Sequence, residues 1–307
     1  MQFYKPALTV SRQIALLQDR GLEIEDEARV RRYLSNISYY RLSAYMHPFQ
    51  TDSEQEKHNF KPGTRFEEIA NLYSFDRELR FVLLDAIEQI EVSLRCQLTT
   101  VIAEHHGSHG WTNADIFDTR YDHNKLKNLV EQKVRTKRPE VFLNHYRQKY
   151  VEPELPPVWM VMEILTFVEV SKLFSNFRYP KDKQRIAHHF GVPDAVLRSW
   201  FRSLSDLRNI CAHHARVWNR EFSSRPVIPQ RQPAVWPSIP EFVGDSPIRP
   251  QRRLYMMLVV VKTLLQRIDS KSRWHKQLYD LLQRNPNVPR QAMGFPERWE
   301  HEQLWNS

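Results

Sequence analysis

The sequence predicts an all-α fold, on three observations. Glycine is scarce: the 307-residue chain carries 7, too few for the tight turns of a β-sandwich or for glycine-rich phosphate loops. Alternating β-branched runs bounded by turn dipeptides are absent. Apolar residues instead recur every three to four positions over long stretches, most plainly at Ile69, Leu72, Leu79, Leu83, Ile87, Ile90, Leu94, Leu98 and Val101.

The first helix is expected over Leu8 to Gly21. Ile14, Leu16 and Leu17 form its apolar stripe, Thr9 or Ser11 its N-cap, and Gly21 sits where a C-terminal cap belongs. A second helix follows from Asp26, with Val30, Tyr33, Leu34 and Ile37 at helical spacing. Together they make an N-terminal helical hairpin over residues 1–50. Arg29, Arg31, Arg32 and Arg41 around it admit a helix-turn-helix reading, but so generic a pattern favours a hairpin packed on a larger bundle with its arginines solvated.

Pro62-Gly63 then breaks the chain. Thr64 and Glu67 make a capping box, and the helix they open is expected to reach His105, long enough to need packing partners along most of its length. After a turn at 106–110, helices are expected over 125–135 and 139–150. A proline-bearing break at 152–157 precedes one central buried helix over 158–174, interrupted by Glu163 and Glu169, and then helices over 184–190 and 193–204. Residues 64–224 thus form the core. Residues 225–250 are rich in proline, which excludes regular helix and predicts a strap over the surface. C-terminal helices are expected at 254–268 and 274–282. The tail from Pro286 carries Trp299 and Trp305 and is expected to dock, because two exposed tryptophans there would be out of place. With no internal repeat and no linker, residues 1–307 read as a single helical domain.

Basic residues outnumber acidic ones 45 to 36, a net charge of +9. That surplus favours a polyanionic partner: nucleic acid, acidic protein or anionic membrane, without choosing among them. Cys96 and Cys211 are too few for a disulfide framework and fit a reducing compartment. No basic stretch followed by an apolar run marks a signal peptide in Met1 to Pro6. The greasiest segment, Leu254 to Leu265, is broken by Lys262 and too short to span a bilayer. A cytoplasmic protein with no membrane partner is expected.

The segment with the clearest chemistry runs from Leu204 to Arg220. Arg208 and His213 in it suit phosphodiester chemistry on RNA. A histidine moves protons near neutral pH and can serve the 2′-hydroxyl or the leaving 5′-oxygen. An arginine offers a forked, permanently charged donor set to the phosphate. The nucleophile lies in the substrate, so neither metal nor cofactor is called for. Spacing alone is weak: Arg41/His47 and Arg138/His145 share it, and His214 also falls in the window. On a continuous helix of about 100° per residue, Asn209, His213, Arg216 and Arg220 share one face, and Arg208 lies roughly 140° from His213. Arg208 must then reach round, the helix must bend, or the two side chains must meet across a dimer. The plain alternative is an amphipathic helix with Leu204, Leu207, Ile210 and Cys211 inward and its Arg and His residues solvated.

Several further segments, in this order and spacing, carry a resemblance. They are Lys5-Pro-Ala-Leu-Thr9 with Gln13, Tyr33 to Ser43, Phe75-Asp-Arg-Glu-Leu-Arg80, Ile90-Glu-Val-Ser-Leu-Arg95, Pro156-Pro-Val-Trp159 with Glu163, Leu207 to His214 with Trp218-Asn-Arg220, and Ala292 to Pro296 with Trp299. Over nearly its whole length the chain resembles the Abi family of bacterial abortive-infection proteins, within the HEPN superfamily. The resemblance implies an all-helical HEPN-like bundle and a ribonuclease motif falling on Arg208, Asn209 and His213. Asn209 would orient the histidine or contact the phosphate. His214 would serve as a second proton carrier, ranked below His213, and Arg216 and Arg220 either hold RNA backbone or form a solvated basic face. The superfamily's site is built from two facing units, so a homodimer would complete it here. Val168 departs from a glycine expected after Phe167, which concerns helix packing more than catalysis.

Other residues are read more plainly. Arg77, Arg80 and Arg95 either approach the same groove or pair with Glu88 and Glu91, and pairing is favoured because charges on a long packed helix usually pair. His105, His106 and His109, then His188 and His189, lack metal-site spacing, and adjacent helical histidines point to different faces. Tyr39 and Tyr40 suit core packing better than base stacking. The expected function is a metal-independent endoribonuclease in anti-phage defence. The alternatives are a non-catalytic RNA-binding module or regulatory partner, with an antitoxin or small RNA as its counterpart, and a DNA-binding regulator using residues 1–50.

Overall fold

The computed structural model describes residues 2, 6–51, 58–233 and 235–306; Met1, Lys5 and Ala234 of the segments above lie outside them. It holds twelve α-helices and no strand among these residues and is 63% helical, which bears out the all-α expectation. No helix among them is long and apolar enough to cross a membrane. The chain forms two compact units, Met1–Arg80 with Leu281–Val288 and Phe81–Asp280 with Pro289–Ser307.

The first unit contains α1 (Val10–Asp19), α2 (Glu27–Ile37), α3 (Tyr39–Met46) and the start of α4 (Phe66–His106). Thr9 caps α1 and Asp26 caps α2, each accepting a backbone N–H three residues on. Gly21, at φ 86°, lets the chain leave α1 with Leu22 N–H bonded back to the Leu17 carbonyl at 3.0 Å. The expected two-helix hairpin is in fact three helices. Ser38 takes φ 72° and its hydroxyl accepts the Arg41 N–H, so α2 stops and α3 starts within one residue.

The capping box assigned to Thr64 and Glu67 does not form. The Thr64 hydroxyl donates to the Lys61 carbonyl, and it is the Glu68 carboxylate that accepts the Arg65 N–H at 2.9 Å. Glu23 explains the shift. Its N–H bonds the Thr64 carbonyl and its carbonyl accepts the Phe66 N–H, which holds Thr64 extended and delays the helix. Inside this unit Asp76 is fully buried, accepts the Tyr45 hydroxyl at 2.6 Å and pairs with Arg80. Burial and the adjacent carboxylate push the Tyr45 phenol well above its usual range.

The second unit holds the rest of α4, then α5 (His123–Arg135), α6 (Val141–Lys149), α7 (Val158–Ile164), α8 (Phe167–Ser175), α9 (Pro180–Phe190), α10 (Asp194–Ala212), α11 (Leu254–Ile268) and most of α12 (Trp274–Arg284). The single buried helix expected over 158–174 is two. Thr166 caps α8 by accepting the Glu169 N–H, while the Glu169 carboxylate accepts the Thr166 N–H at 2.6 Å. This reciprocal box forces a break at Leu165. Arg95 of α4 spans the break, donating to the carbonyls of Met162 and Leu165 and pairing with Glu91. Thus Arg95 pairs as expected, whereas Arg80 pairs with Asp76 rather than with Glu88 or Glu91.

Helix α11 is apolar on almost every side and buried from Leu254 through Leu265. Between α10 and α11 the described residues hold no α-helix. In the tail, Trp299 and Trp305 are 4% and 8% exposed. They close an aromatic cluster with Tyr255 and Phe295.

Candidate functional site

Helix α10 carries the Arg208 motif and is fixed by one apolar stripe. Val196, Leu197, Trp200, Phe201, Leu204, Leu207 and Cys211 are buried at helical spacing; Ile210, expected to face inward with them, is half-buried. The helix ends at Ala212. The His214 N–H bonds the Cys211 carbonyl at 3.0 Å and the Ala215 N–H bonds the Ile210 carbonyl at 3.0 Å. This is the paired closure that usually needs glycine in the left-handed position. Here the position is His214, at φ 57°. The chain then turns because Val217 and Trp218, 0% and 1% exposed, enter the core.

This termination corrects the helical arithmetic. Asn209, His213, Arg216 and Arg220 do not share a helix face, because His213 is the cap and Arg216 and Arg220 lie beyond it. His213 is exposed to solvent, and its N–H bonds the Asn209 carbonyl at 2.9 Å. Arg208 and Asn209 are half-buried on the preceding turn. Neither the Arg208 guanidinium nor the His213 imidazole makes a hydrogen bond or ion pair with a described residue. Arg220 Nη1 donates to the Arg216 carbonyl at 3.3 Å, and Arg253 Nη1 reaches the Asn219 side chain at 3.0 Å. The fold therefore places His213 and His214 at the helix end, with Arg208 and Asn209 on the turn before it. It gives Arg216 and Arg220 a separate turn.

A second polar cluster escaped the sequence reading. The Asp182 carboxylate is fully buried and accepts His105 Nδ1 at 2.7 Å and His106 Nε2 at 2.8 Å. Adjacent histidines thus converge, contrary to the expectation that they diverge, because Asp182 sits between them at the start of α9. Their ligand atoms lie within 4.8 Å of one another. As hydrogen-bonded here the three groups form a clasp between helices. A carboxylate only accepts, so both facing ring nitrogens carry protons, and Arg185 Nη1 adds a positive charge 3.0 Å from His105 Nε2. The clasp joins the last turn of α4 to the first turn of α9, where a carboxylate suits the helix N-terminus. Asp182 two residues after Pro180 was the available signal.

Fold and site define an all-helical protein with a basic surplus and an exposed histidine capping the helix that carries its arginine. The family described as Abi-like protein matches residues 32–219, more than half of the chain and all of α10, and the chain belongs to it. No curated protein and no solved structure matches the chain.

Proposed function

We propose that the chain is a metal-independent endoribonuclease of the HEPN type, acting in abortive-infection defence against phage. Family membership supports the defence role. The observation that carries the chemistry is the end of α10, where Arg208 and His213 hold unengaged charged and ionisable groups on consecutive turns. His213 takes the proton of the ribose 2′-hydroxyl as that oxygen bonds to phosphorus. The bond from phosphorus to the 5′-oxygen breaks, and the leaving oxygen takes a proton from a second acid, the partner imidazole in a homodimer or His214. Arg208 neutralises the charge that builds on the phosphoryl oxygens. The products are a 2′,3′-cyclic phosphate and a 5′-hydroxyl. Arg216 and Arg220 would hold flanking backbone.

Cleavage of a labelled RNA by the purified chain tests this. His213→Ala is expected to lower the rate by about 10²–10⁴-fold and Arg208→Ala by about 10²–10³-fold. Undiminished cutting by His213→Ala overturns the site, and cutting of DNA, which has no 2′-hydroxyl, overturns the chemistry. Tight RNA binding with no products, unaffected by His213→Ala, is the result expected of a non-catalytic RNA-binding module.

A further inference from the structure

A groove of about 920 Å³ lies in the second unit, walled by α8, α10 and residues 223–227 of the proline-rich segment. Its cations come from all three walls: Lys172 from α8, Arg198 and Arg202 from α10, and Arg225 from the strap. All are exposed, and none forms an ion pair with a described residue. Much of the remaining lining is serine. Among these, Ser205 is 3% exposed and its hydroxyl is buried with no hydrogen-bond partner.

The third wall is fixed in place. The Ser199 hydroxyl accepts the Val227 N–H at 3.0 Å and donates to the Arg225 carbonyl at 3.3 Å. Trp200 Nε1 donates to the Val227 carbonyl at 2.8 Å while its ring stacks on Trp236. The Ser224 hydroxyl donates to Asp206, the one acidic lining residue. The backbone at Arg225 is thereby held against α10 before any ligand arrives, which lowers the ordering cost of binding.

We propose that this groove binds the sugar-phosphate backbone of a single polynucleotide strand, separately from the Arg208–His213 pair. Unpaired cations on three sides fit a ligand whose negative charges repeat along its length. Arg198 and Arg202 stand one turn apart, about 6 Å along the helix axis. A protein partner would need apolar anchors at the centre of its interface, where charge is usually depleted; this groove is lined by four cations and no aromatic residue. No aromatic residue lines the groove, so bases find no stacking platform and recognition is indifferent to sequence. Asn209 lies seven residues past Arg202, about 20° from it on the helix and about 10 Å further along the axis. The groove face of α10 therefore runs on to the end capped by His213. The proposal takes from the cleavage reading only that the partner is a polynucleotide.

The test is binding of a labelled 2′-O-methyl oligoribonucleotide, which has no free 2′-hydroxyl, to the full chain across a salt series. The Arg198→Gln/Arg202→Gln variant is expected to bind about tenfold more weakly at moderate salt, with the slope of log affinity against log salt reduced by about 1.4. Arg225→Gln, from a different wall, is expected to lower the slope by about 0.7. Lys125→Gln, which alters an exposed cation of α5 outside the groove, is expected to bind as the unaltered chain does. Wild-type affinity and slope in both groove variants overturn the proposal, as does displacement of the oligonucleotide by polyglutamate at equal charge concentration. Should His213→Ala still cut a cleavable RNA while the groove variants lose binding, the cleavage assignment falls and the groove stands.

Discussion

His214 adopts a backbone conformation that costs an L side chain about 1–2 kcal/mol, in the position where helices ordinarily end on glycine. Asn219, five residues on, is also at positive φ, 49°. Such strain is retained where the surrounding structure enforces it, often beside a functional group. Two variants separate the backbone from the imidazole. Asparagine tolerates this conformation, so His214→Asn is expected to keep stability within about 0.5 kcal/mol, and any loss of cleavage in it reports the ring. His214→Gly relieves the strain and is expected to keep or raise the melting temperature. Calorimetry beside a cleavage assay checks both, and a His214→Asn chain that fails to fold refutes the account of the turn.

At the scale of elements, the wall of the groove that carries Lys172 depends on α8 starting at Phe167, which the Thr166–Glu169 box dictates. Thr166→Ala is expected to lower stability by about 1 kcal/mol, measured as a shifted urea midpoint with unchanged slope. Loss of far less than this would mean that packing of Phe167, Val170 and Phe174 alone sets the start. That box was legible in the residues, and reading Glu169 as an interruption of an apolar run concealed it. Where periodicity was long and uninterrupted, as in α4 and α11, the sequence reading located the helix to within a residue or two. It failed where a distant partner decides the outcome. Glu23 moves the start of α4 away from Thr64, and the burial of Val217 and Trp218 turns the chain at His213 and disperses the predicted Asn209–Arg220 face. The Asp182 clasp and the serine-lined groove need residues far apart in the chain, which no local spacing discloses.

For the whole molecule, the buried bases set the response to acid. Lys262 is 4% exposed within the apolar α11, and burial holds its pKa down. Its Nζ lies 3.1 Å from His275 Nδ1. His275 is held below the usual imidazole range by burial first and then by the charges of Lys262 and Lys276, and His189 by burial. Unfolding frees both imidazoles to take up protons that the folded chain resists. As pH falls through about 6.5, the ordinary histidine value, the unfolded state binds more protons and stability declines. The decline from these groups ends below their depressed folded values, where both states are protonated. Asp118 and Glu221 act in a lower window. Arg120 and Arg252 hold their carboxyls below the usual range, so their contribution is lost only as pH falls through about 4 and below. The expected result is a urea midpoint that falls between about pH 7 and pH 5, well before the carboxylates titrate. His275→Gln should flatten that fall, since it removes one of the groups that titrate there. A midpoint constant over this range, or a slope unchanged in His275→Gln, would show that His275 does not couple protonation to folding.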